Sequence, residues 1–508
     1  MSELVNATEI LRQRLDKLAR LHSEEGFNPF AAEKWNVTHH VAEVRESYEV
    51  LENEEERRDC ALSLAGRLMT IRRQGKNAFA NLQDETGTMQ IYVQFNSLGE
   101  EAYTFFKKWV DSGDIIGIEG FPFRTKRGEL TVHVTRFALL SKALRPLPEK
   151  WHGLSDLETR YRKRYVDLIA NPEVADTFRK RSRIISSVRR TLEEGGTLEV
   201  ETPVLSYLAG GAEARPFITH HNALNLSMYL RIAVELFHKR LVVGGMGRIY
   251  EIGKSFRNEG MDLTHNPEFT MLEVYWPYCD YKDMMDLCET IVRQACIAAN
   301  GTTVATYDGR EIDYSKPFRR VTMHQLVKEK FGYDFLTCTD EQAQAWAKEK
   351  GLTDISPKDG KYQILAAFVE EFIEDDLQEP TFLIGHPKVI SPLAKSNPDN
   401  PELTNRFELF VHGKELGNGY SELNDPVDQK ERFIEQSNKK AEGDEEAHPY
   451  DADFVEALEH GMPPTGGLGI GIDRLVMFLT GHKSIRDVIF FPTMKPQGIK
   501  EEAESDGD

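Results

Sequence analysis

The stretch YEIGKSFRNEGMDLTHNPEFTMLEVY, residues 250–275, decides the fold predicted for the larger part of the chain. Its two ends alternate apolar and polar residues and flank a polar loop with Arg257 and Glu259, which predicts an antiparallel hairpin with a long tip. Because side chains alternate along a strand, Phe269, Glu273 and Tyr275 share one face of the returning strand. That face could hold a nucleotide beside a cationic ligand. An amphipathic hairpin with a surface ion pair between Arg257 and Glu259 would fit the same pattern.

Composition places the chain among globular proteins with more than one domain. It has 508 residues, of which 40% are apolar and 29% charged, and no apolar run approaches the roughly 18 residues that span a membrane. The N-terminus lacks an apolar core, and the five cysteines lack metal-binding spacing, so we expect a cytoplasmic protein with reduced thiols. The net charge of -20 excludes non-specific nucleic-acid binding by the whole surface. Any nucleic-acid contact must be local.

The residue pattern changes several times along the chain. Short strands separated by turn signals predict a small antiparallel barrel with the five-strand layout of an OB-fold, and a proline-containing linker leads to a larger domain of mixed helices and strands. The predicted segments are a helical N-terminal segment (1–58), the barrel (59–145), the linker (146–171), the larger domain (172–500) with a partly helical insertion at about 280–400, and an acidic tail (501–508).

The barrel could bind a nucleic acid on its open face. Barrels of this type stack single-stranded bases on aromatic rings and contact the backbone with arginines. A phenylalanine in a barrel is more often part of the core, so Phe79 has two possible places. The candidates for this face are Arg67, Arg72, Phe79, Gln90 and Glu129.

Three features follow the linker. The strand LEVETPVL, residues 198–205, contains Pro203, which belongs at a sheet edge or a bulge, and edges are where two subunits can meet. A glycine turn includes Gly211, where backbone can approach a ligand. The amphipathic helix predicted for LRIAVELFHKRLVVGG, residues 230–245, carries Glu235 among apolar residues. A carboxylate there needs an internal Arg or Lys, or a cationic ligand.

The stretch RFELFVHGKELGNGYSELND, residues 406–425, predicts a second hairpin. A two-residue turn at His412 and Gly413 would set Glu415 opposite Phe410 and on the same face as Glu408. Two such carboxylates beside phosphates suit Mg²⁺. Glu422 falls on the opposite face unless a glycine bulge within residues 417–419 breaks the pleat.

The stretch GLGIGIDRLVMFLTG, residues 467–481, predicts a tight passage from strand to helix, with Asp473 as N-cap and Arg474 in the first turn. Its glycines do not have the GxGxxG spacing, so a dinucleotide site is a poor interpretation. Backbone could instead meet adenine or ribose while Arg474 meets a phosphate.

These motifs, taken together, carry a family resemblance. TLEVETPVL, FRNEG with HNPEF, and GLGIGIDRL resemble, in order, the three signature motifs of class II aminoacyl-tRNA synthetases. The blocks KALRPLPEKWHGL, GGAEARPFITHHNAL and FELFVHGKELGNGYSELND are more similar still to lysyl-tRNA synthetases of the bacterial type. The resemblance implies an α+β fold: an antiparallel catalytic sheet flanked by helices, preceded by an OB-fold anticodon-binding domain. It also implies a homodimer through the region of Pro203.

The resemblance implies a role for each matching position. Arg257 would bind the α-phosphate and the amino-acid carboxylate, and Arg474 would stack on adenine opposite Phe269; these two arginines are the implied catalytic residues. The other implied ATP contacts are Glu259, His265, Asn266, Glu408, Gly469 and Gly471. Glu408 and Glu415 would bind Mg²⁺. The implied lysine pocket comprises Gly211, Glu235, Arg257, Glu273, Tyr275, Asn418, Tyr420 and Glu422, with Glu235 on the α-amino group and Glu422 on the ε-ammonium. Arg67, Phe79, Gln90 and Glu129 would read the anticodon.

The implied function is ATP-dependent activation of L-lysine to lysyl-adenylate, followed by transfer of lysine to the 3′ end of tRNA(Lys). The acidic residues Glu235, Glu273 and Glu422 independently favour a ligand with two ammonium groups. A relative that attaches a lysine-like amino acid to a protein would lack the barrel. A non-catalytic RNA-binding relative would be expected to have lost Arg257 or the paired carboxylates, which are present.

Overall fold

The computed structural model describes residues 2–147, 154–212, 214–441 and 450–497. The chain divides into two compact units between Ser155 and Asp156. The predicted acidic tail lies outside the described residues. Within the described part of the chain, helices are too short or too polar to cross a membrane.

The first unit contains the predicted barrel. Its helices are α1 (Ser2–Glu25), α2 (Val41–Tyr48), α3 (Phe95–Leu98) and α4 (Glu100–Trp109). Its strands are β1 (Leu62–Gln74), β2 (Asn77–Gln83), β3 (Thr88–Gln94), β4 (Ile115–Arg124) and β5 (Leu130–Ser141). They close in the order β1-β2-β3-β5-β4, and the pairings are antiparallel as predicted except that of β3 with β5, which is parallel. Alternate residues such as Leu82, Ile91 and Val132 fill the interior, as the period of a strand requires. The OB-fold prediction is confirmed.

The second unit is built on an eight-stranded sheet in the order β14-β15-β16-β17-β18-β11-β10-β6. Its strands are β6 (Leu198–Glu199), β10 (Ile249–Phe256), β11 (Glu268–Pro277), β14 (Arg319–Thr322), β15 (Thr381–Ile384), β16 (Arg406–Val411), β17 (Lys414–Ser421) and β18 (Thr465–Gly471). The pairings are antiparallel except β6 with β10 and β14 with β15. The smaller strands are β7 (Leu205–Ser206), β8 (Ile218–His221), β9 (Leu226–Leu230), β12 (Val304–Tyr307) and β13 (Arg310–Asp313).

Helices cover the sheet, so the predicted α+β architecture is confirmed. Val188 of α7, Ile291 of α9 and Val476 of α15 share one core with the sheet residues Leu272 and Leu409. The helices of this unit are α5 (Leu157–Arg162), α6 (Arg164–Ala170), α7 (Pro172–Glu194), α8 (Glu235–Val243), α9 (Tyr281–Asn300), α10 (Met323–Phe331), α11 (Asp340–Glu349), α12 (Lys361–Phe372), α13 (Pro426–Ala441), α14 (Ala452–Glu459), α15 (Ile472–Thr480) and α16 (Ile485–Val488), with 3₁₀ turns at Glu374–Asp376 and Lys388–Ile390.

The partly helical insertion is narrower than the predicted range of about 280–400. Helix α9 packs in the main core and β15 extends the central sheet, so both ends of that range belong to the main body. Helices α10 to α12 form a separate core around Val327, Phe335 and Phe368. An amphipathic helix such as α9 buries its apolar face wherever a surface is offered, which sequence alone does not reveal.

Two predicted elements are shorter than expected. The strand predicted for 198–205 is split into β6 and β7, because Pro203 lacks an amide donor and the Thr202 amide donates to the Glu251 carboxylate at 3.0 Å. The predicted edge position of this segment holds, since β6 is the last strand of the sheet. The helix predicted for 230–245 begins at Glu235, because the Arg231 amide donates to the Val204 carbonyl.

Candidate active site

One cavity of about 450 Å³ lies over β11, β16, β17 and β18 in the second unit. Every candidate that the sequence placed in the catalytic domain lines it. These residues are Gly211, Glu235, Arg257, Glu259, His265, Asn266, Phe269, Glu273, Tyr275, Glu408, Glu415, Asn418, Tyr420, Glu422, Gly469, Gly471 and Arg474. They come from segments more than 250 residues apart in the chain, so the sheet is what assembles the site.

The hairpin predicted for 250–275 is present, with Ser255 opposite Phe269. Phe269, Glu273 and Tyr275 face the cavity together, as strand alternation requires. Arg257 lies beside Phe269, with its guanidinium carbon 5.2 Å from the centre of the ring. The alternative ion pair between Arg257 and Glu259 does not occur among the described residues, and the buried Arg257 Nε has no hydrogen-bond partner. The cation is therefore available to an anionic ligand.

Arg474 stands at the end of the cavity nearest the hairpin loop. Its Nη1 donates to the Glu415 carbonyl at 2.6 Å, and its Nη2 lies 3.1 Å from His265 Nε2. The predicted N-cap role of Asp473 is wrong, because Gly471 occupies that position. Asp473 is instead buried one residue inside the helix, where it accepts from the Thr270 amide at 2.7 Å and pairs with Arg181 at 2.6 Å. These contacts fix the start of α15 to β11 and so present Arg474 to the cavity.

The second hairpin has the predicted turn, with Phe410 opposite Glu415. The break in the pleat occurs at Leu416, slightly before the predicted 417–419, because Leu409 pairs with Gly417 and leaves Leu416 as an extra residue. Leu416 packs into the core, and Asn418 and Glu422 therefore face the same cavity as Glu415. A single bulge thus brings both ends of β17 to one site.

Two carboxylates lie at the position predicted for a metal, and a third, Glu374, is close enough to be affected by their charges. Glu408 and Glu415 line the cavity, and the Arg406 Nη2 donates to Glu408 Oε1 at 2.5 Å. Burial, followed by the charges of Glu408 and other nearby carboxylates, raises the pKa of Glu374 to about 8. Desolvation and then the charge of Glu408 also raise the pKa of Glu415. Oxygen donors whose charges oppose one another fit a hard divalent cation such as Mg²⁺.

At the other end of the cavity lie the buried carboxylates Glu235, Glu273 and Glu422. The Tyr420 hydroxyl donates to Glu235 at 2.7 Å, and the Tyr275 hydroxyl donates to Glu273 at 2.8 Å. Burial raises the pKa of Glu273, and it raises the pKa of Glu422 well above its ordinary value. Such groups ionise readily only beside a cation.

Close approach of the backbone completes this end of the cavity. A Cβ atom at Gly467 would collide with the Glu422 carboxylate, so glycine is required there. A Cβ atom at Gly469 would instead meet the Met271 side chain at an ordinary contact distance of 3.5 Å. The buried Asn418 Oδ1 has no hydrogen-bond partner among the described residues and faces the cavity as a free acceptor.

Sequence reasoning missed the charged residues that hold these carboxylates, chiefly Lys239 and Arg406. The Lys239 ammonium lies 2.6 Å from Glu235 Oε1 and 2.5 Å from Glu422 Oε2. The spacing of Glu235 and Lys239, four residues apart on one helix, was the available signal. Arg406 could have been found as the neighbour of Glu408 on the same face of a strand.

In the first unit, Phe79 lies on the outer surface of the barrel, while its neighbours Ala78 and Ala80 are buried in the interior. Its ring centre is 4.8 Å from that of Tyr92, which is 5.9 Å from that of Phe123. Phe79 is therefore not part of the barrel core, and it belongs to a half-buried aromatic surface.

The other barrel candidates lie on or beside strands of the same barrel. Arg72 is exposed and pairs with Phe79 across β1 and β2. Arg67 donates to the Gly113 carbonyl at 2.9 Å, and Gln90 accepts from Thr131 at 3.1 Å. Glu129 is exposed immediately before β5.

Comparison with known proteins agrees with both units. Residues 156–495 match the family tRNA synthetases class II (D, K and N), and residues 62–140 match the OB-fold nucleic acid binding domain. The lysine–tRNA ligase of Enterococcus faecalis is 54% identical over 484 residues, covering 95% of this chain and 96% of the relative. That of Syntrophomonas wolfei is 51% identical, with 98% and 99% covered, and that of Thermoanaerobacter pseudethanolicus is 52% identical, with 96% of each covered.

The fold, the cavity and the matched families define a class II tRNA synthetase with an OB-fold domain. Within that class, the chain belongs to the lysyl-tRNA synthetase family. The resemblance drawn from the sequence motifs is thus confirmed.

Proposed function

We propose that the chain activates L-lysine with ATP to form lysyl-adenylate and pyrophosphate, and then transfers lysine to the 3′ end of tRNA(Lys). The observation that carries this proposal is the polarity of the cavity. An arginine with an unpartnered Nε, Arg257, lies toward one end, and three buried carboxylates lie toward the other. An α-amino acid with a second ammonium group matches that distribution of charge.

The proposed reaction depends on how the two substrates are positioned and needs no nucleophilic side chain from the protein. Glu235 and Glu422 would hold the two ammonium groups, so that the lysine carboxylate points toward Arg257 and the α-phosphate of ATP. The carboxylate oxygen attacks phosphorus in line, a new O–P bond forms, and the bond to pyrophosphate breaks. Arg257 stabilises the charge that develops, while Phe269 and Arg474 hold adenine between them. The terminal tRNA hydroxyl then attacks the acyl carbon and releases AMP.

Mg²⁺ suits the paired carboxylates Glu408 and Glu415, whose negative charges raise the pKa of their neighbours. When bound, Mg²⁺ would neutralise the phosphates of ATP. Arg406 contacts Glu408 through Oε1, so among the described contacts Oε2 is available to the ion.

Glu415→Gln tests this metal site. The substitution keeps the size of the side chain and removes one anionic oxygen ligand, so adenylate formation should require more Mg²⁺. The measurement is lysine-dependent pyrophosphate exchange over a Mg²⁺ titration, with the exposed Glu402→Gln as the matched control. An unchanged Mg²⁺ requirement in Glu415→Gln would contradict the assignment.

The barrel supplies the proposed anticodon contact. Phe79→Ala should lower kcat/KM for tRNA charging by about 1 to 3 kcal/mol, the usual scale of one lost base stack. Lysine-dependent pyrophosphate exchange should be unchanged, because that reaction does not involve the barrel. Phe30→Ala removes another exposed ring from the same unit and is the matched control. A parallel fall in charging and exchange for Phe79→Ala would refute the base-stacking role.

Assembly and organisation complete the proposal. The domains are proposed at the predicted boundaries, with residues 59–145 as the anticodon-binding domain and 172–500 as the catalytic domain.

A homodimer through the region of Pro203 is supported by exposed apolar residues there, including Leu205, Tyr207 and Ile218. Light scattering should give twice the mass of one chain. The five free cysteines suit the reducing cytoplasm, where we place the reaction.

The direct test of the function is amino-acid-dependent exchange of pyrophosphate into ATP across the twenty standard amino acids. Lysine should support exchange far more strongly than any other. The D and N in the description of the matched family stand for aspartate and asparagine. Stronger exchange with either of these amino acids than with lysine would overturn the proposal.

A further inference from the structure

A buried lysine contacts the carboxylates at the end of the cavity that is proposed to bind lysine. Lys239 lies on α8, is 0% exposed, and touches both of the carboxylates proposed to recognise the substrate's ammonium groups. Burial lowers the pKa of Lys239, but the charges of Glu235 and Glu422 outweigh that effect and the pKa is raised. The side chain is therefore an ammonium ion that lies beside this part of the cavity.

The charge of the pocket changes when Lys239 is counted. Glu235, Glu273 and Glu422 are all buried there, and Lys239 offsets one of their three charges. The neighbouring buried carboxylate Glu251 is matched by Arg231 at 2.6 Å, so it adds no net negative charge. Two negative charges are left, and an amino acid with an α-ammonium and a second ammonium group neutralises both.

Geometry gives Lys239 a second effect. Its ammonium bridges a helix residue, Glu235, and a residue that follows β17, Glu422. The ion lies 5.6 Å from the ring centre of Tyr420 and 5.9 Å from that of Phe454, so aromatic rings enclose it as well. The bridge fixes the separation and the orientation of the two carboxylates before any substrate arrives.

We propose that Lys239 is a positioning residue that determines specificity, because its ammonium bridges Glu235 and Glu422 and holds the two carboxylates in register for a diammonium amino acid. This inference rests on the proposed function, since it concerns how the same pocket selects lysine. Lys239 does not line the cavity itself, and it acts on the substrate through the two carboxylates.

The test compares lysine with norleucine, which has the same carbon chain but lacks the ε-ammonium. In Lys239→Met the buried carboxylates lose their cation, and one of them should take up a proton. A neutral carboxyl pairs poorly with the ε-ammonium, so kcat/KM for lysine should fall roughly tenfold or more, mainly through KM. The value for norleucine should change less, and KM for ATP should stay near that of the wild type. Pyrophosphate exchange with each amino acid measures all three.

Two further variants make the result decisive. Lys239→Gln keeps a hydrogen-bond donor without the charge and should narrow the lysine-to-norleucine ratio in the same direction, even if the Met variant does not fold. Arg240→Met removes the next cation on α8, which pairs with Asp451 and Asp453, and should leave the ratio unchanged. Equal losses for both amino acids in the Lys239 variants, or none, would overturn the inference. Absence of lysine-dependent exchange in the wild type would instead overturn the proposed function.

Discussion

Glu422→Gln should lower kcat/KM for lysine by about 10²-fold or more, with ATP affinity changed little. The ε-ammonium loses its hydration when it enters the closed pocket, and a fixed carboxylate must replace that water. Removing one partner of a buried charge pair costs about 2 to 5 kcal/mol. In this chain the loss is compounded, because Glu422 also holds Lys239 at 2.5 Å. Glutamine keeps the shape of the side chain but can balance neither cation.

Norleucine exchange is the diagnostic comparison for this variant. Norleucine has no ε-ammonium, so Glu422→Gln should lower its kcat/KM much less. The ratio of kcat/KM for lysine to that for norleucine should therefore decrease. Glu251→Gln alters another buried, ion-paired carboxylate outside the cavity, and it should affect both amino acids alike. An equal loss for both in Glu422→Gln would mean that the ammonium is held elsewhere, with Glu273 the first residue to examine.

Arg257→Gln should lower kcat for adenylate formation by roughly 10² to 10³-fold, the scale of removing one preorganised stabiliser of a developing charge. The guanidinium is placed beside Phe269, and its buried Nε has no partner, so its hydrogen-bonding capacity is reserved for a ligand. Glutamine is neutral, so it cannot balance the negative charge that develops on the α-phosphate as the lysine carboxylate attacks. Pre-steady-state formation of lysyl-adenylate measures this step directly.

Arg248→Gln is the matched control for Arg257→Gln. Arg248 also lies over an aromatic ring, with its guanidinium 4.2 Å from the centre of Trp276, but it does not line the cavity. Its loss should leave adenylate formation near the wild-type rate. If Arg257→Gln retained kcat and raised only the KM for ATP, the arginine would bind the ground state without stabilising the transition state.

Local rules were sufficient for much of the site. Strand alternation placed Phe269, Glu273 and Tyr275 on one face, and a two-residue turn paired Phe410 with Glu415, because both depend on residues close in sequence. Burial of Glu235 among apolar residues indicated that it required a cation. The family motifs then connected segments that no local rule relates.

What sequence did not reveal depended on contacts between distant segments. The partner of Lys239 beyond its own helix is Glu422, which only the sheet brings near. The sequence predicted Asp473 as an N-cap, but its carboxylate instead accepts a hydrogen bond from the Thr270 amide and pairs with Arg181, both on other elements. The strand around Pro203 is shortened because Thr202 bonds to Glu251 from β10. Tertiary hydrogen bonds overrode local preference in each case.

The extra residue Leu416 divides β17 into two frames. Residues before it follow one alternation and residues after it the other, so if Leu416 took an ordinary place in the ladder, Asn418, Tyr420 and Glu422 would point to the far side of the sheet from Glu415. The bulge, and not only the residue types of the strand, therefore determines which side chains of β17 face the cavity together. Chimaeric enzymes that exchange the amino-acid-binding half of this strand should be joined at the bulge. Either half can be replaced there without changing the direction in which side chains of the other half point.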